Sequence, residues 1–330
     1  MLKNDKTQCI AVTGADGFVG SVLCRCLVAN GHVVQPIVRD DACATRFKAT
    51  DLKTNDPLIV GDIGPNTLWS HALSDVDVVI HLAARVHVMD ETEVDPLAAF
   101  QEVNTEGTRR LAEESARMNV NRLVFVSTIK VNGESTTGCR PLSPEDPACP
   151  QDPYGVSKWE AEQALAQIAG DTGLEVVIMR PPLVHGPGVG GNLSRLLSVV
   201  TRGIPLPLAA VQNRRSLVGV ENLADALMVC ACHPAAPGGV FTVSDGEHVS
   251  TAELIRRIAS GLERPVRLWP CPPFLLVTVA RLLGKSDAMD RLVGSLEVDD
   301  SRLRQDLGWS PPVSMREGVR AMCRGHKDIK

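Results

Sequence analysis

The chain reads as an α/β protein: a Rossmann-type doubly wound parallel sheet with a smaller, mostly helical C-terminal part. Three observations predict this. Six short apolar runs alternate with helical stretches across residues 9–182, with no hairpin signal between them. The first run leads into glycines at three-residue spacing and then a helical segment. After Pro182 the alternation breaks. The expected division is a nucleotide-binding unit over 1–182, with a return segment 217–245, and a substrate-binding unit over 183–216 and 246–330.

Composition narrows the function classes. The chain has 330 residues, 44% of them hydrophobic and 22% charged, enough for a sizeable core. A formal charge of −5 gives no reason to expect a nucleic-acid partner. No apolar run approaches the roughly 20 residues that span a bilayer. Met1–Lys6 leads straight towards the first strand without a signal-peptide core, which points to the cytoplasm. The ten cysteines are scattered and form no CxxC pair, so reduced thiols are expected, with neither a disulfide framework nor a metal site.

Cys9–Thr13 is a short buried-strand run. Gly14-Ala15-Asp16-Gly17-Phe18-Val19-Gly20 follows, then a helical segment from Ser21 to Asn30 closed by Gly31. Glycines in this context allow a tight turn and close approach to a pyrophosphate, whose charge the helix-start amides bind. The second strand, His32–Val38, ends at Arg39-Asp40-Asp41. An acid at that place favours NAD(H) and a base favours NADP(H); Arg39 comes first and tilts the reading to NADP(H). Leu58–Ile63 is the third strand, with Asp62 suited to an adenine edge, and Asp77–Ala84 is the fourth. Ala83 and Ala84 leave room for a cofactor, and His81 reads as a structural strand-end histidine.

Asp95–Asn119 has helical periodicity interrupted by Asn104, which either orients neighbouring backbone or is a satisfied core amide. The fifth strand, Arg122–Thr128, places Ser127 and Thr128 at a carboxyl end, where open sheets bind ligands. A Pro- and acid-rich loop over 134–150 would cover that edge. Asp152-Pro153-Tyr154 then opens a helix to about Ala169, with Asp152 as cap and Pro153 in the first turn. Tyr154, the only tyrosine, sits one turn before Lys158 on the same face. A phenol beside an ammonium is a proton-transfer pair in which the cation lowers the phenol pKa. Glu175–Arg180 is the sixth strand.

In the second half, a helix starts near Asn192 and Glu221–Cys232 is helical. Asn213-Arg214-Arg215 offers a cation pair, either solvated or an anion clamp. Gly239–Val243 is a strand that returns to the main sheet. Ser250…Glu253 and Ser314…Glu317 are capping boxes. Pro273–Gly284 is an apolar helix, read as a core or dimer element rather than a membrane-surface contact, because a lone short helix anchors weakly.

In this order and spacing, Thr13–Gly20, His81–Ala84, Val103-Asn104, Val126–Thr128, Tyr154–Lys158 and Arg180–Pro187 resemble the extended short-chain dehydrogenases/reductases, in their nucleotide-sugar epimerase/dehydratase branch. The resemblance covers essentially the whole chain. It implies Tyr154 as acid/base, Lys158 as its pKa-lowering partner and ribose anchor, and Thr128 as the hydroxyl that polarises the substrate. It implies cofactor contacts at Gly14, Asp16, Gly17, Phe18, Val19, Gly20, Arg39, Asp62, Ile63, Leu82, Ala83, Ala84, Asn104, Ser127, Tyr154, Lys158, Pro181 and Leu183. Ser127, Thr128, Asn192 and Arg215 match substrate positions, although Arg215-Ser216-Leu217-Val218 departs from the usual Arg-Asp-Tyr-Ile-His. A homodimer through the 95–119 and 154–169 helices is also implied.

Sugar 4,6-dehydratases carry an Asp-Glu pair after the strand-five threonine; here Ile129 and Lys130 follow Thr128, which argues against a dehydratase. The main reading is then an NAD(P)H-dependent reductase of a UDP-4-keto-6-deoxy-hexosamine. This is similar to the reductases of the UDP-N-acetylquinovosamine type that supply bacterial surface polysaccharide, such as lipopolysaccharide O-antigen. A UDP-sugar 4-epimerase with tightly held NAD is the alternative, and a non-catalytic dinucleotide sensor the remote one.

Overall fold

The structure, a computed structural model, describes residues 7–86, 95–282 and 286–327. Seven strands form one sheet: β1 (Cys9–Thr13), β2 (Val33–Val38), β3 (Leu58–Ile59), β4 (Val78–His81), β5 (Arg122–Val126), β6 (Glu175–Arg180) and β9 (Val240–Thr242). Their order is β3-β2-β1-β4-β5-β6-β9, and every pairing is parallel. Such a sheet is buried on both faces, which accounts for its near-continuous apolar runs. The helices α1 (Phe18–Ala29) and α7 (Val220–Cys232) cover one face through Leu23, Leu27, Leu223 and Leu227. The other face packs on α4 (Gly107–Arg117) and α5 (Pro153–Thr172) through Leu111, Ala161 and Leu165. Strand order reverses between β1 and β4, the place where such sheets open a ligand crevice.

Several boundaries differ from the sequence reading. β3 stops at Ile59 rather than Ile63, because Gly61 at φ +75° turns the chain. The edge contact still continues, with Val60 N–H bonding Val38 C=O and Gly61 N–H bonding Arg39 C=O. The 95–119 stretch is not one regular helix. α3 (Pro96–Phe100) passes into a π-helical segment, Gln101–Glu106, and then α4. Such wide turns cluster at functional sites, and this one contains Asn104. The return strand pairs with β6 as expected.

The second half adds a small sheet, β10 (His248–Val249), β8 (Arg215–Gly219) and β7 (Leu183–His185). β8 therefore belongs to this sheet, and the return to the main sheet begins with α7. A third apolar cluster joins α6 (Gly191–Thr201), α8 (Thr251–Gly261) and α12 (Met315–Lys327). Both helix starts are capped: Ser250 Oγ accepts from Glu253 N–H at 3.0 Å, and Ser314 and Glu317 complete a reciprocal box. The apolar helix α9 (Pro273–Leu282) is not a core element. It buries Leu276 but leaves Phe274, Leu275 and Leu282 exposed.

Candidate active site

The carboxyl ends of the parallel strands converge on one edge. Gly14 adopts φ +66°, and a Cβ there would lie 3.2 Å from the Ala83 backbone nitrogen at the end of β4. A Cβ at Gly20 would lie only 2.1 Å from the Gly14 carbonyl oxygen, so helix α1 approaches the loop as closely as glycine permits. The α1 N-cap, Gly17, provides no side-chain cap, and the first turn holds no acid. The amides of Phe18, Val19 and Gly20 are thereby open to an anion. These residues fit a dinucleotide pyrophosphate. Asp16, beside the loop, is paired with Arg46 from α2 (Asp41–Lys48), a partner the sequence reading did not foresee.

The end of β4 is fixed by hydrogen bonds. Thr13 Oγ1 accepts from the amides of Leu82 and Ala83, each at 3.1 Å. Its single proton is then left for His81 Nδ1, 2.7 Å away, so His81 Nε2–H faces Thr108 Oγ1 at 3.1 Å. Burial, then Lys158, lowers the His81 pKa to about 3, and the ring is neutral and structural. Asn104 completes the frame. Its Oδ1 accepts from Arg85 N–H at 2.8 Å, and its Nδ2 donates to Arg85 C=O and to Ser157 Oγ, each at 3.0 Å. It is thus both a satisfied buried amide and the tie between the end of β4 and α5.

Asp152 caps α5, its Oδ1 accepting from Gly155 N–H at 2.7 Å. From there Tyr154, Lys158 and Glu162 fall on successive turns of one helix face. Lys158 Nζ donates to the Val126 carbonyl at 2.8 Å and lies 4.4 Å from the Phe125 ring centroid. Tyr154 packs edge-on to Phe100, with centroids 6.0 Å apart. The electrostatics differ from the sequence expectation. Burial lowers the Lys158 pKa to about 7, against an opposing effect of Glu162. Burial, and then Asp152, raises the Tyr154 pKa instead of lowering it. Desolvation is the larger cause, and the Asp152 carboxylate acts in the same direction.

Ser127 and Thr128 part company. Thr128 opens the 3₁₀ turn Ile129–Val131, its Oγ1 3.3 Å from Lys130 N. Ser127 Oγ is bonded to Glu162, inside a network that composition did not reveal. Arg180 donates to both Glu162 oxygens, to Asn132 Oδ1 at 3.0 Å and to Pro144 C=O at 3.2 Å. The site edge, α5 and the covering loop are therefore tied to one buried guanidinium. Lys130 bonds Glu134 and the capping Asp152, so the position that is acidic in dehydratases helps to hold the start of α5. Ile129 N–H bonds Pro181 C=O at 3.0 Å, joining the ends of β5 and β6.

The remaining predicted positions lie further out. The exposed Arg39 pairs with Asp40 at 3.0 Å, while Asp62 and Ile63 follow the end of β3. Leu183 opens β7, and Asn192 is exposed in the first turn of α6. Arg215 donates to the carbonyls of Arg291 and Gly294, at 2.8 and 3.1 Å, and so holds the turn after α10 (Ser286–Val293).

A glycine-lipped helix start, an occupied β4 end and a Tyr/Lys face at one sheet edge define a nicotinamide dinucleotide enzyme of Rossmann type. The chain belongs to the NAD-dependent epimerase/dehydratase family, whose sequence pattern matches residues 10–244. It is 44% identical to a UDP-glucose 4-epimerase of Vibrio cholerae over 316 residues, 94% of this chain and 93% of that protein. It is 30% identical to a UDP-glucose 4-epimerase of Mycolicibacterium smegmatis, over 93% of this chain and 95% of that one. Among solved structures, the UDP-glucuronic acid 4-epimerase of Bacillus cereus in complex with NAD has the same fold. The TM-score is 0.78 at 22% identity, covering 97% and 99% of the two chains.

Proposed function

We propose that the protein is a UDP-sugar 4-epimerase acting on UDP-glucose or a close relative. The observation that carries this is near-full-length identity of 44% to the Vibrio cholerae enzyme, with Tyr154, Lys158 and Thr128 together at the sheet edge. The reading favoured from sequence, a 4-keto-sugar reductase, gives way to its alternative, because the relatives point to epimerisation. NAD, when bound, supplies the hydride acceptor and donor. Tyr154 takes the proton from the C4 hydroxyl and returns it after the sugar turns over. Thr128 Oγ1 hydrogen-bonds the same oxygen, and a protonated Lys158 favours the phenolate. On this reading Asn192 and Arg215 would face the sugar nucleotide. Residues 1–182 with the returning α7 and β9 carry the cofactor, and the rest carries the substrate.

The cofactor reading moves to NAD. The Arg39 guanidinium is engaged by Asp40. Hydrogen bonds from Cys43, then from Arg39, hold the Asp40 carboxyl at about 2. A permanent carboxylate suits ribose hydroxyls and repels a 2′-phosphate. A homodimer through the 95–119 and 154–169 helices remains the arrangement that the family resemblance implies.

The test is cofactor and turnover together. Denatured protein should release NAD, and the native protein should convert UDP-glucose to UDP-galactose with nothing added. Stoichiometric loss of added NADPH with a UDP-4-keto sugar, and no action on UDP-glucose, would overturn the reading.

A further inference from the structure

Six of the eleven large hydrophobic side chains exposed among the described residues gather in one part of the second half: Ile204, Val266, Trp269, Phe274, Leu275 and Leu282. Scattered apolar exposure is ordinary, but a gathered patch is not. The backbone holds the patch together. Leu206 N–H bonds Arg267 C=O at 2.8 Å and Trp269 N–H bonds Leu206 C=O at 3.1 Å, so Ile204 stands level with Val266. The chain then passes from Trp269 into α9, where Phe274 is 68% and Leu282 83% exposed.

Arginine predominates on this part. Residues 264–282 contain three arginines and no acid, and residues 189–220 contain four arginines and no acid, in a chain of net charge −5. Arg214 is paired with Glu297 and Arg215 with backbone carbonyls, while exposed Glu263 adjoins Arg264 and exposed Asp290 lies on α10, which packs on α9. Arg202, Arg264, Arg267 and Arg281 are all exposed. Arg267 Nη1 reaches the Gly203 carbonyl at 3.1 Å, which sets a cation among the apolar side chains.

We infer that this face docks on an anionic phospholipid bilayer. Trp269 and the exposed face of α9 enter the headgroup region while the arginines meet lipid phosphates. No helix among the described residues is long and apolar enough to cross a membrane, so contact is with the surface. Neither signal is strong alone: a ten-residue helix anchors weakly, and four arginines need an anionic surface to act on. Together they give the two-part attachment that reversible binding requires. A second copy is the poorer occupant, because a symmetric contact sets arginine-rich patch against arginine-rich patch. The inference stands apart from the proposed reaction.

Flotation of the full-length enzyme with vesicles tests it. Vesicles of equal parts phosphatidylcholine and phosphatidylglycerol should carry the protein up, and phosphatidylcholine alone should not. Raising the salt should release it. Each arginine removed in an Arg264→Gln/Arg281→Gln variant should weaken binding roughly fivefold. A Phe274→Ser/Leu282→Ser variant should lose binding while keeping its melting temperature and its turnover of water-soluble UDP-sugar. No flotation with anionic vesicles, or flotation that both variants leave intact, would overturn the inference. So would self-association in sedimentation that Phe274→Ser/Leu282→Ser abolishes without any vesicle binding, which would assign the face to a second copy.

Discussion

Arg180 and Glu162 form an ion pair that water scarcely reaches, with Nη2 2.5 Å from Oε2 and side-chain exposures of 5% and 2%. Glu162 shares its helix face with Tyr154 and Lys158, and Arg180 reaches on to Asn132 and Pro144 in the covering loop. Removing one partner strands the other charge. Glu162→Ala should cost about 3–5 kcal/mol in denaturant unfolding, and Arg180→Met/Glu162→Leu much less. The single variant should also lose turnover through the loosened loop. Equal stability of single variant and wild type would show that solvent reaches the pair.

Tyr154 offers a direct reading of its own ionisation, since no other tyrosine absorbs. Burial and Asp152 raise its pKa above the ordinary 10.0, so cofactor-free folded protein should show no tyrosinate band at pH 10, whereas unfolded protein should show half of it. Tyr154→Phe should keep the fold and lower turnover by roughly 10²–10⁴. A tyrosinate band near neutrality in the cofactor-free protein would restore the expectation that Lys158 lowers the phenol pKa.

Much of this site is legible in sequence because its parts are local. β1 and β6 match their apolar runs residue for residue, and Asp152 caps α5 as its type predicts. What composition hides depends on tertiary partners. The π-helical turn around Asn104 is invisible to apolar spacing, and the hydrogen bonds of Asn104 to Arg85 and Ser157 within it are tertiary. The sign of the shift at Tyr154 follows from how deeply it is buried, which a Tyr-x-x-x-Lys spacing does not state. α9 reads as a core or dimer element from its apolar residues, yet only the packing of its neighbours decides which of them are covered.

Lys158 works at a cost in stability. Its pKa falls from 10.5 unfolded to about 7 folded, so between these values the unfolded chain binds more protons. The folded state is disfavoured in full below the lower value, and the penalty fades as pH climbs towards the higher. Lys158→Met should therefore stabilise the cofactor-free protein by about 1–4 kcal/mol at neutral pH or below, with the margin shrinking in alkali. Activity should be lost. Melting temperatures of both proteins across pH give the check; a margin that grows with pH would reverse the assignment.

His81 gives a slope of the same sign, displaced into acid. Its folded pKa of about 3 lies below the ordinary 6.5, so the unfolded chain gains a proton first and stability falls as pH drops through that window. In His81→Gln the amide can still accept from Thr13 and donate to Thr108, and nothing titrates there. The variant should be less stable than wild type at pH 7 but lose less on acidification. Parallel acid profiles for the two would mean that His81 carries its proton in the folded state.

Gly20 tests whether close packing or charge sets cofactor affinity. A Cβ at this position would meet the Gly14 carbonyl oxygen at 2.1 Å and the Ala15 Cα at 2.9 Å, both backbone atoms that cannot swing aside. At Gly17 a Cβ would stand 3.1 Å from the same oxygen, a contact that a small shift relieves. Gly20→Ala should therefore cost about 1–3 kcal/mol of stability by overpacking, because α1 must move off the loop. That movement carries the amides of Phe18, Val19 and Gly20 away from the pyrophosphate, so purified Gly20→Ala should hold little NAD. Gly17→Ala should melt closer to wild type and retain more. Equal NAD content in the two variants would show that the position of α1 is not what holds the cofactor.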